Sequence, residues 1–190
     1  MFEAPGRGVL LTAPHATRHR GRDGQVKLAD AATGALGRVV AAATGAACLV
    51  THGSWPGNAN HDPLERCAFK QRVVHLITDQ PDLVVVDLHG MRDDHGVDVC
   101  VGTHVDGPSP LADLVEASLA GSGLRCRRND PFAARDPNTV TATVLGRRVP
   151  VVQLEVAARW RDPVDRTEDA RAFLVALTRV ATQIPDALAP

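Results

Sequence analysis

Apolar segments of two kinds alternate along the chain. Short β-rich runs predict buried strands, and longer segments with apolar positions at helical spacing predict helices. The segment 81–90 centres on a continuous apolar run, which is typical of a strand buried on both faces of a parallel sheet. Strands are predicted over 8–14, 47–53, 81–90, 97–104, 124–129, 139–146 and 149–157, and helices over 28–44, 64–79, 109–123 and 165–184.

This alternation predicts an α/β fold, a three-layer sandwich whose central sheet is mostly parallel or mixed and has helices on both faces. No repeat, low-complexity tract or linker divides the 190 residues, so a single domain over 1–190 is expected. No apolar stretch approaches the roughly 20 residues of a membrane span, and the first residues lack the apolar region of a signal peptide. We therefore expect a cytoplasmic protein that binds no membrane.

Composition narrows the function classes further. The formal net charge of -1 provides no field that would attract nucleic acid, and an aromatic content of 3% leaves few side chains for base stacking. The four cysteines form no CxxC pair, and two of them lie in predicted strands, so buried thiols are expected rather than metal ligands. The sequence does not indicate an oligomeric state.

Polar residues gather where three predicted strands end. The first strand ends at His15, the central strand at Asp87 and His89, and a late strand runs through Glu155. In an open α/β sheet, ligands bind at the carboxyl ends of the strands. Residues i and i+2 of a strand point to the same side, so Asp87 is predicted to orient His89 by a hydrogen bond. A carboxylate at Glu155, inside a buried strand, is costly unless it is paired or functional.

These residues suit a metal site. A hydrolytic zinc centre needs three protein ligands and one open position for water, and His15 and His89 supply two ligands. The third ligand stays open between His19, four positions after His15, and Asp30, expected at the start of a helix where a carboxylate is favourable.

Further polar residues near these strand ends are suited to bind substrate. The second predicted strand ends at His52, and a polar loop with Asn58 follows it. The candidates for holding the substrate or stabilising an oxyanion are Asn60, His61, Arg18 and Arg159.

Six short motifs occur in a fixed order over most of residues 8–160. They are Pro-His at 13–16, an acidic residue with Thr and Leu at Asp30, Thr33 and Leu36, an Asn-x-x-Pro loop at 60–63, Asp-x-His at 87–89, Asn-x-Pro-aromatic at 129–132, and Gln-x-Glu at 153–155. Read together, these motifs resemble those of the N-formylglutamate amidohydrolase family.

The resemblance implies a zinc-exopeptidase-like fold and an amidohydrolase that cleaves an N-acyl amino acid or a small peptide-like substrate. It implies a Zn²⁺ ion held by His15, Asp30 and His89, which favours Asp30 over His19 as the third ligand. It also implies that Glu155 is the catalytic base.

The chain departs from the family at two positions that bear on the substrate. His61 replaces the arginine of the Asn-Arg loop, and residues 156–158 lack the Asn-Arg pair that follows the late glutamate, with Arg159 one place late. Arginines are natural bidentate partners of a carboxylate, so the substrate is not fixed by the motifs. A non-catalytic binding protein of the same fold, and an amidase for peptide or cell-wall fragments, are the alternative functions.

Overall fold

A seven-stranded mixed sheet forms the middle layer of the protein, for which a computed structural model describes residues 1–4 and 8–188. The strands of this part of the chain are β1 (Phe2–Ala4), β2 (Val9–Ala13), β3 (His19–Arg20), β4 (Val26–Lys27), β5 (Ala47–Val50), β6 (Val84–Met91), β7 (Val99–Gly102), β8 (Cys126–Arg128) and β9 (Val151–Ala157). The sheet order is β1-β5-β2-β6-β9-β7-β8, and β3 and β4 form a separate hairpin. Strands β5, β2, β6 and β9 run parallel, whereas β1 and β7 pair antiparallel with their neighbours β5 and β9.

Helices cover both faces of the sheet, so the predicted three-layer architecture is confirmed. The helices are α1 (Thr33–Thr44), α2 (Ala68–Asp79), α3 (Pro110–Ala120), α4 (Val140–Leu145) and α5 (Thr167–Ala187), with short 3-10 turns at Leu64–Arg66, Asp93–His95 and Ala158–Arg161. Helices α1, α3 and α5 pack on one face and α2 and α4 on the other. Within the described ranges, no helix is long and apolar enough to cross a membrane.

The two central strands β6 and β9 carry polar residues on one face only. Val85 of β6 packs in the core under α2 and α4. Asp87 and His89 follow at even spacing and share that face, because side chains alternate along a strand. The parallel register pairs Asp87 with Gln153 and His89 with Glu155, so two rows of polar side chains lie next to each other near the carboxyl ends of β6 and β9.

The helix predicted from residue 28 begins five residues later, at Thr33. Ala32 has a φ of 63°, in the left-handed region, which interrupts the helical backbone. The preceding main chain is used elsewhere, because the amide of Asp30 donates to the carbonyl of His15 at 2.8 Å. Asp30 therefore lies in the loop before α1, and the expectation that it begins the helix was wrong.

The strand predicted over 139–146 is wrong, because this segment forms α4. Its alternating Thr and Val residues fit both a short strand and a short helix. Two interactions at the N-terminus favour the helix: the Thr139 hydroxyl accepts from the amide of Ala142 at 3.0 Å, and the side chain of Asn60 accepts from the amide of Val140 at 2.8 Å. The second bond comes from a loop 80 residues away, which local sequence does not reveal.

The cysteines agree with the sequence expectation. Cys48, Cys67 and Cys100 are buried and Cys126 is half-buried, and all four are free thiols. Burial raises the pKa of the Cys48 and Cys126 thiols to about 12, so these groups stay protonated and pack as small apolar side chains.

A buried carboxylate joins the edge of the sheet to the turn after β9. The side chain of Asp98 is 4% exposed and accepts from the amide of Arg125 at 2.8 Å and from its guanidinium at 3.2 Å and 3.3 Å. The guanidinium of Arg159 forms a second ion pair with Asp98. Burial alone would raise the pKa of Asp98, but the hydrogen bonds from Arg125 and the charge of Arg159 outweigh it and lower the pKa from 3.8 to about 2.

Asp98→Asn is expected to lower the free energy of unfolding by about 2 kcal/mol at pH 7. Because the folded pKa lies below the unfolded value, the stabilisation is present above about pH 4 and is lost as the pH falls through about 2, so the difference from wild type should be roughly halved near pH 3. Urea denaturation at both pH values measures it. As a control, Asp113→Asn removes an exposed partner of Arg128 and should cost less than about 0.5 kcal/mol. Equal losses in the two variants would contradict the assignment.

Candidate metal centre

The carboxyl ends of β2, β6 and β9 meet at one edge of the sheet, where a cavity of about 340 Å³ opens. The three strands are parallel neighbours, so the loops that follow them converge on the same place. The cavity is lined by residues from these strand ends and from three loops: His15, Arg22, Asp30, Asn60, His61, His89, Gly90, Phe132, Ala133, Asp136, Thr139, Gln153 and Glu155.

Two histidines and one aspartate form a compact cluster in this cavity. The Nδ1 atoms of His15 and His89 each lie 3.7 Å from Oδ2 of Asp30. The two imidazole rings meet edge to face, with centroids 5.0 Å apart. The ligand atoms of the three residues all lie within 4.8 Å of one another, which makes them the one group in the described ranges that could hold a metal ion.

The ring of His89 is oriented from inside the sheet. Its Nε2 lies 3.1 Å from Oδ2 of Asp87, and the other oxygen of that carboxylate accepts from the Thr12 hydroxyl at 2.6 Å. Asp87 therefore has the position predicted for it. Because the carboxylate accepts the proton on Nε2, the lone pair of neutral His89 is on Nδ1, which faces Asp30.

The ring of His15 is oriented by Asn58, a role that the sequence did not reveal. Nε2 of His15 lies 2.8 Å from Oδ1 of Asn58. Oδ1 also accepts from the amides of Asn60 and His61, while Nδ2 of Asn58 donates to the carbonyl of Arg20, so the amide orientation is determined. The Nε2 of His15 must donate to this oxygen, which leaves the lone pair of a neutral ring on Nδ1.

The carboxylate of Asp30 is held ionised between the two rings. Burial raises its pKa, but hydrogen bonding and charge at His15 and His89 outweigh this and lower it well below 3.8. Oδ2 also accepts from the amide of Gly90 at 3.0 Å. For His89 the effect of burial is opposite and lowers the pKa. The charges and hydrogen bonds of Asp87 and Asp30 outweigh it and raise the pKa of His89 to well above 6.5. The cluster therefore stabilises positive charge.

The donor set fits a zinc ion. Two imidazole nitrogens and one carboxylate oxygen are a common protein ligand set for catalytic zinc, which keeps a further position open. Asn58 and Asp87 orient the Nδ1 lone pairs of His15 and His89, as hydrogen-bond partners of metal-binding histidines do.

Glu155 lies next to this cluster on an interior strand. Strand β9 lies between β6 and β7, so Glu155 does not lie on an edge strand of the sheet. Glu155 is paired in register with His89, and Oε1 accepts from the side chain of Gln153 at 2.9 Å. Burial is the largest influence on its carboxyl group and raises its pKa.

His19, the alternative third ligand, contacts the centre differently. Its ring stacks on His15, with centroids 3.8 Å apart and an interplanar angle of 3°. Its Nδ1 lies 3.2 Å from the carbonyl of Thr17, and burial lowers its pKa. The ring of His19 therefore packs face to face on the ring of His15, whereas the Asp30 carboxylate faces the Nδ1 atoms of His15 and His89.

One wall of the cavity carries a charged group that the sequence did not single out. Nη2 of Arg22 forms an ion pair with Asp136 and lies 2.9 Å from Nδ1 of His61. Burial, followed by the charge of Arg22, lowers the pKa of His61 to about 4. Since a guanidinium can only donate, Nδ1 of neutral His61 accepts and the ring proton is on Nε2.

The predicted substrate-binding residues divide into two groups. Asn60 and His61 line the cavity, although Asn60 also caps α4 through its side chain. The structure does not bring Arg18 or Arg159 to the cavity lining: Arg18 is exposed beside Ser54, and Arg159 pairs with Asp98. His52 is exposed outside the lining as well.

Solved structures resemble the protein in fold. A bacteriophage poly-gamma-glutamate hydrolase matches with a TM-score of 0.63 and 18% identity, covering 97% of this chain and 86% of that chain. An N-formylglutamate amidohydrolase from Ralstonia eutropha JMP134 matches with a TM-score of 0.63 and 16% identity, covering 96% and 94%. A metallo-carboxypeptidase from Burkholderia cenocepacia has a TM-score of 0.58 and 16% identity, covering 98% of this chain and 58% of that one. The predicted zinc-exopeptidase-like fold is confirmed.

Sequence comparison gives the family. A search of curated protein sequences found no significant match. The family model described as N-formylglutamate amidohydrolase matches residues 66–160, a segment that contains His89 and Glu155 and follows His15 and Asp30. Because this match covers half of its 190 residues, the chain belongs to the N-formylglutamate amidohydrolase family.

Proposed function

We propose that the protein is a zinc-dependent amidohydrolase that cleaves the amide bond of an N-acyl amino acid or a small peptide-like substrate. The observation that carries this proposal is the cluster of His15, Asp30 and His89 with the half-buried carboxylate of Glu155 next to it. Family membership supports hydrolysis of an amide, and the metallo-carboxypeptidase fold supports a metal.

The three clustered residues would hold the ion through the two Nδ1 atoms and the Asp30 carboxylate. When bound, zinc supplies Lewis-acid chemistry, polarising the scissile carbonyl and lowering the pKa of water at its open position. Asp87 and Asn58 keep the rings of His89 and His15 in the tautomer that this requires.

Glu155 would act as the general base. Burial raises the pKa of its carboxyl group, which makes the ionised form a stronger proton acceptor than a carboxylate in water. As the water oxygen attacks the carbonyl carbon, Glu155 takes the water proton. It then gives this proton to the amide nitrogen as the C–N bond breaks. The side chain of Gln153 donates to Oε1 and restricts the carboxylate to one orientation.

His61 would hydrogen-bond the substrate oxygen on which charge develops. Its ring centroid lies 6.2 Å from that of His15, on the wall of the cavity. With a pKa of about 4 the ring is neutral at pH 7, and its contact with Arg22 leaves an N–H on Nε2. A preorganised neutral donor of this kind stabilises an oxyanion without changing its own charge.

The size of the cavity and the guanidinium of Arg22 in its wall favour a small substrate that carries a carboxylate. A volume of about 340 Å³ is at the lower end of the range of small-molecule sites, roughly 300–1,000 Å³. Arg22 brings a guanidinium to the cavity wall, while the family's arginine position is His61. We assign to Arg22 the binding of a substrate carboxylate, with Asp136 as its partner in the free enzyme.

Glu155→Gln is expected to keep stoichiometric zinc and to lower kcat by about 10²–10⁴-fold, because the amide cannot accept a proton. His89→Ala is expected to lose both zinc and turnover. Amine release from a panel of N-formyl and N-acetyl amino acids, together with metal analysis of the same samples, measures both quantities.

Glu65→Gln is the matched control for this pair, since Glu65 is exposed on the turn before α2. It should behave as wild type in both assays. An active Glu155→Gln enzyme would refute the base assignment. Zinc-loaded wild type that cleaves no amide in the panel would favour a binding protein.

Arg22→Gln is expected to raise KM by about 10-fold or more for substrates with a free carboxylate, because a charge-assisted hydrogen bond is lost and Asp136 is left unpaired. KM for the matching carboxamides should change little. The control is Arg20→Gln, since the exposed guanidinium of Arg20 bonds to the carbonyl of Gly24 away from the cavity lining. Equal effects on acids and carboxamides would exclude a carboxylate site at Arg22.

A further inference from the structure

A buried arginine lies close to the cluster of His15, Asp30 and His89. Arg161 ends the 3-10 turn that follows β9 and is 6% exposed. Its Nε donates to the carbonyl of Val156 at 2.9 Å, Nη2 to the carbonyl of Met91 at 3.2 Å, and Nη1 to the carbonyl of Ala31. The five N–H groups of a guanidinium in a rigid plane allow one side chain to bond to three chain segments at once.

Each of these carbonyls lies within two residues of a residue in the proposed site. Ala31 follows Asp30, Met91 is two positions after His89, and Val156 follows Glu155. Two of these segments belong to strands β6 and β9, whereas the segment with Asp30 is a loop outside the sheet. The guanidinium therefore connects the main chain at all three positions.

Gly90 makes this arrangement possible. A Cβ atom at Gly90 would lie 2.6 Å from the guanidinium carbon of Arg161, closer than side-chain atoms pack. The amide of Gly90 donates to Oδ2 of Asp30 at 3.0 Å. Gly90 thus packs against the guanidinium of Arg161 and donates a hydrogen bond to the carboxylate of Asp30.

Within the described part of the chain, Arg161 forms no direct ion pair. Its charge is balanced by carboxylates that lie nearby. Burial lowers the pKa of Arg161, and the nearby charges of Asp30, Glu155 and Asp93 oppose this effect. An apolar side chain would avoid the desolvation of a guanidinium, but it would remove the donors that Arg161 supplies to these three carbonyls.

We propose that Arg161 is a positioning residue, which holds the main chain at Asp30, His89 and Glu155 in the geometry that binds the metal and moves the proton. This inference rests on the proposed function, because it concerns the same site. It assigns a role to a residue that touches neither the substrate nor the ion.

The test compares Arg161→Met, Arg161→Lys and the control Arg128→Met. Arg128 pairs with Asp113 and Glu116 of α3, and none of these three residues lines the cavity, so its loss should reduce stability without touching the site. Zinc affinity is measured by chelator competition, ligand geometry by the visible absorption of Co²⁺-substituted protein, and stability by thermal unfolding.

Arg161→Met is expected to weaken zinc binding by about 10–100-fold and to change the Co²⁺ spectrum, as loss of support for metal ligands does. Its kcat should fall by a larger factor than KM rises. Arg161→Lys keeps the charge with fewer donors and should lie between Arg161→Met and wild type. Arg128→Met should lower Tm while zinc affinity and the Co²⁺ spectrum stay as in wild type.

Arg161→Met with wild-type zinc affinity and an unchanged Co²⁺ spectrum would overturn the proposal, whatever its Tm. If Arg161→Met does not fold, Arg161→Lys decides the matter: zinc affinity equal to wild type overturns the positioning role, and weaker binding with a changed spectrum supports it. Wild type that takes up neither zinc nor Co²⁺ would instead refute the proposed function itself, and the inference with it.

Discussion

The carboxylate of Asp87 is fully buried inside the sheet, and its two oxygens bond to the Thr12 hydroxyl and to Nε2 of His89. A buried carboxylate is strongly unfavourable without such partners. These two bonds therefore hold the Asp87 carboxylate in place and orient the imidazole ring of His89. The ring then directs Nδ1 of His89 toward Asp30, and the register of β6 and β9 brings Glu155 alongside. The loops that supply the other cavity residues are built around this fixed edge of the sheet.

Local pattern determined most of the fold. Apolar runs located the central strands, because parallel strands buried on both faces are mostly apolar. The apolar pattern predicted the wrong element where hydrogen bonds from distant residues determine the conformation of a short segment. The segment of α4 alternates like a strand, yet its first amides are capped by Thr139 and by Asn60 from a distant loop. The start of α1 was predicted too early because the main chain of Asp30 bonds to His15.

The site was predictable in the part that the sheet supplies. His15, His89 and Glu155 lie where parallel strands end, and chain topology alone brings such positions together. The supporting residues were not predictable, because their partners are far away in sequence. Asn58 is 43 residues from His15, and Arg161 bonds to a carbonyl 130 residues away. The family resemblance favoured Asp30 over His19 as the proposed third ligand, but no short-range pattern shows that the ring of His19 stacks on His15.

The metal content of the purified protein shows whether His15, Asp30 and His89 hold a zinc ion. Protein prepared without a histidine tag is analysed by mass spectrometry for wild type, His15→Ala and the control His75→Ala, whose exposed side chain pairs with Asp79 on α2. We expect about one equivalent of zinc in wild type and in the control, and loss of that zinc in His15→Ala. Absence of metal from wild type even after zinc is supplied, or equal zinc in His15→Ala, would contradict the proposed metal site.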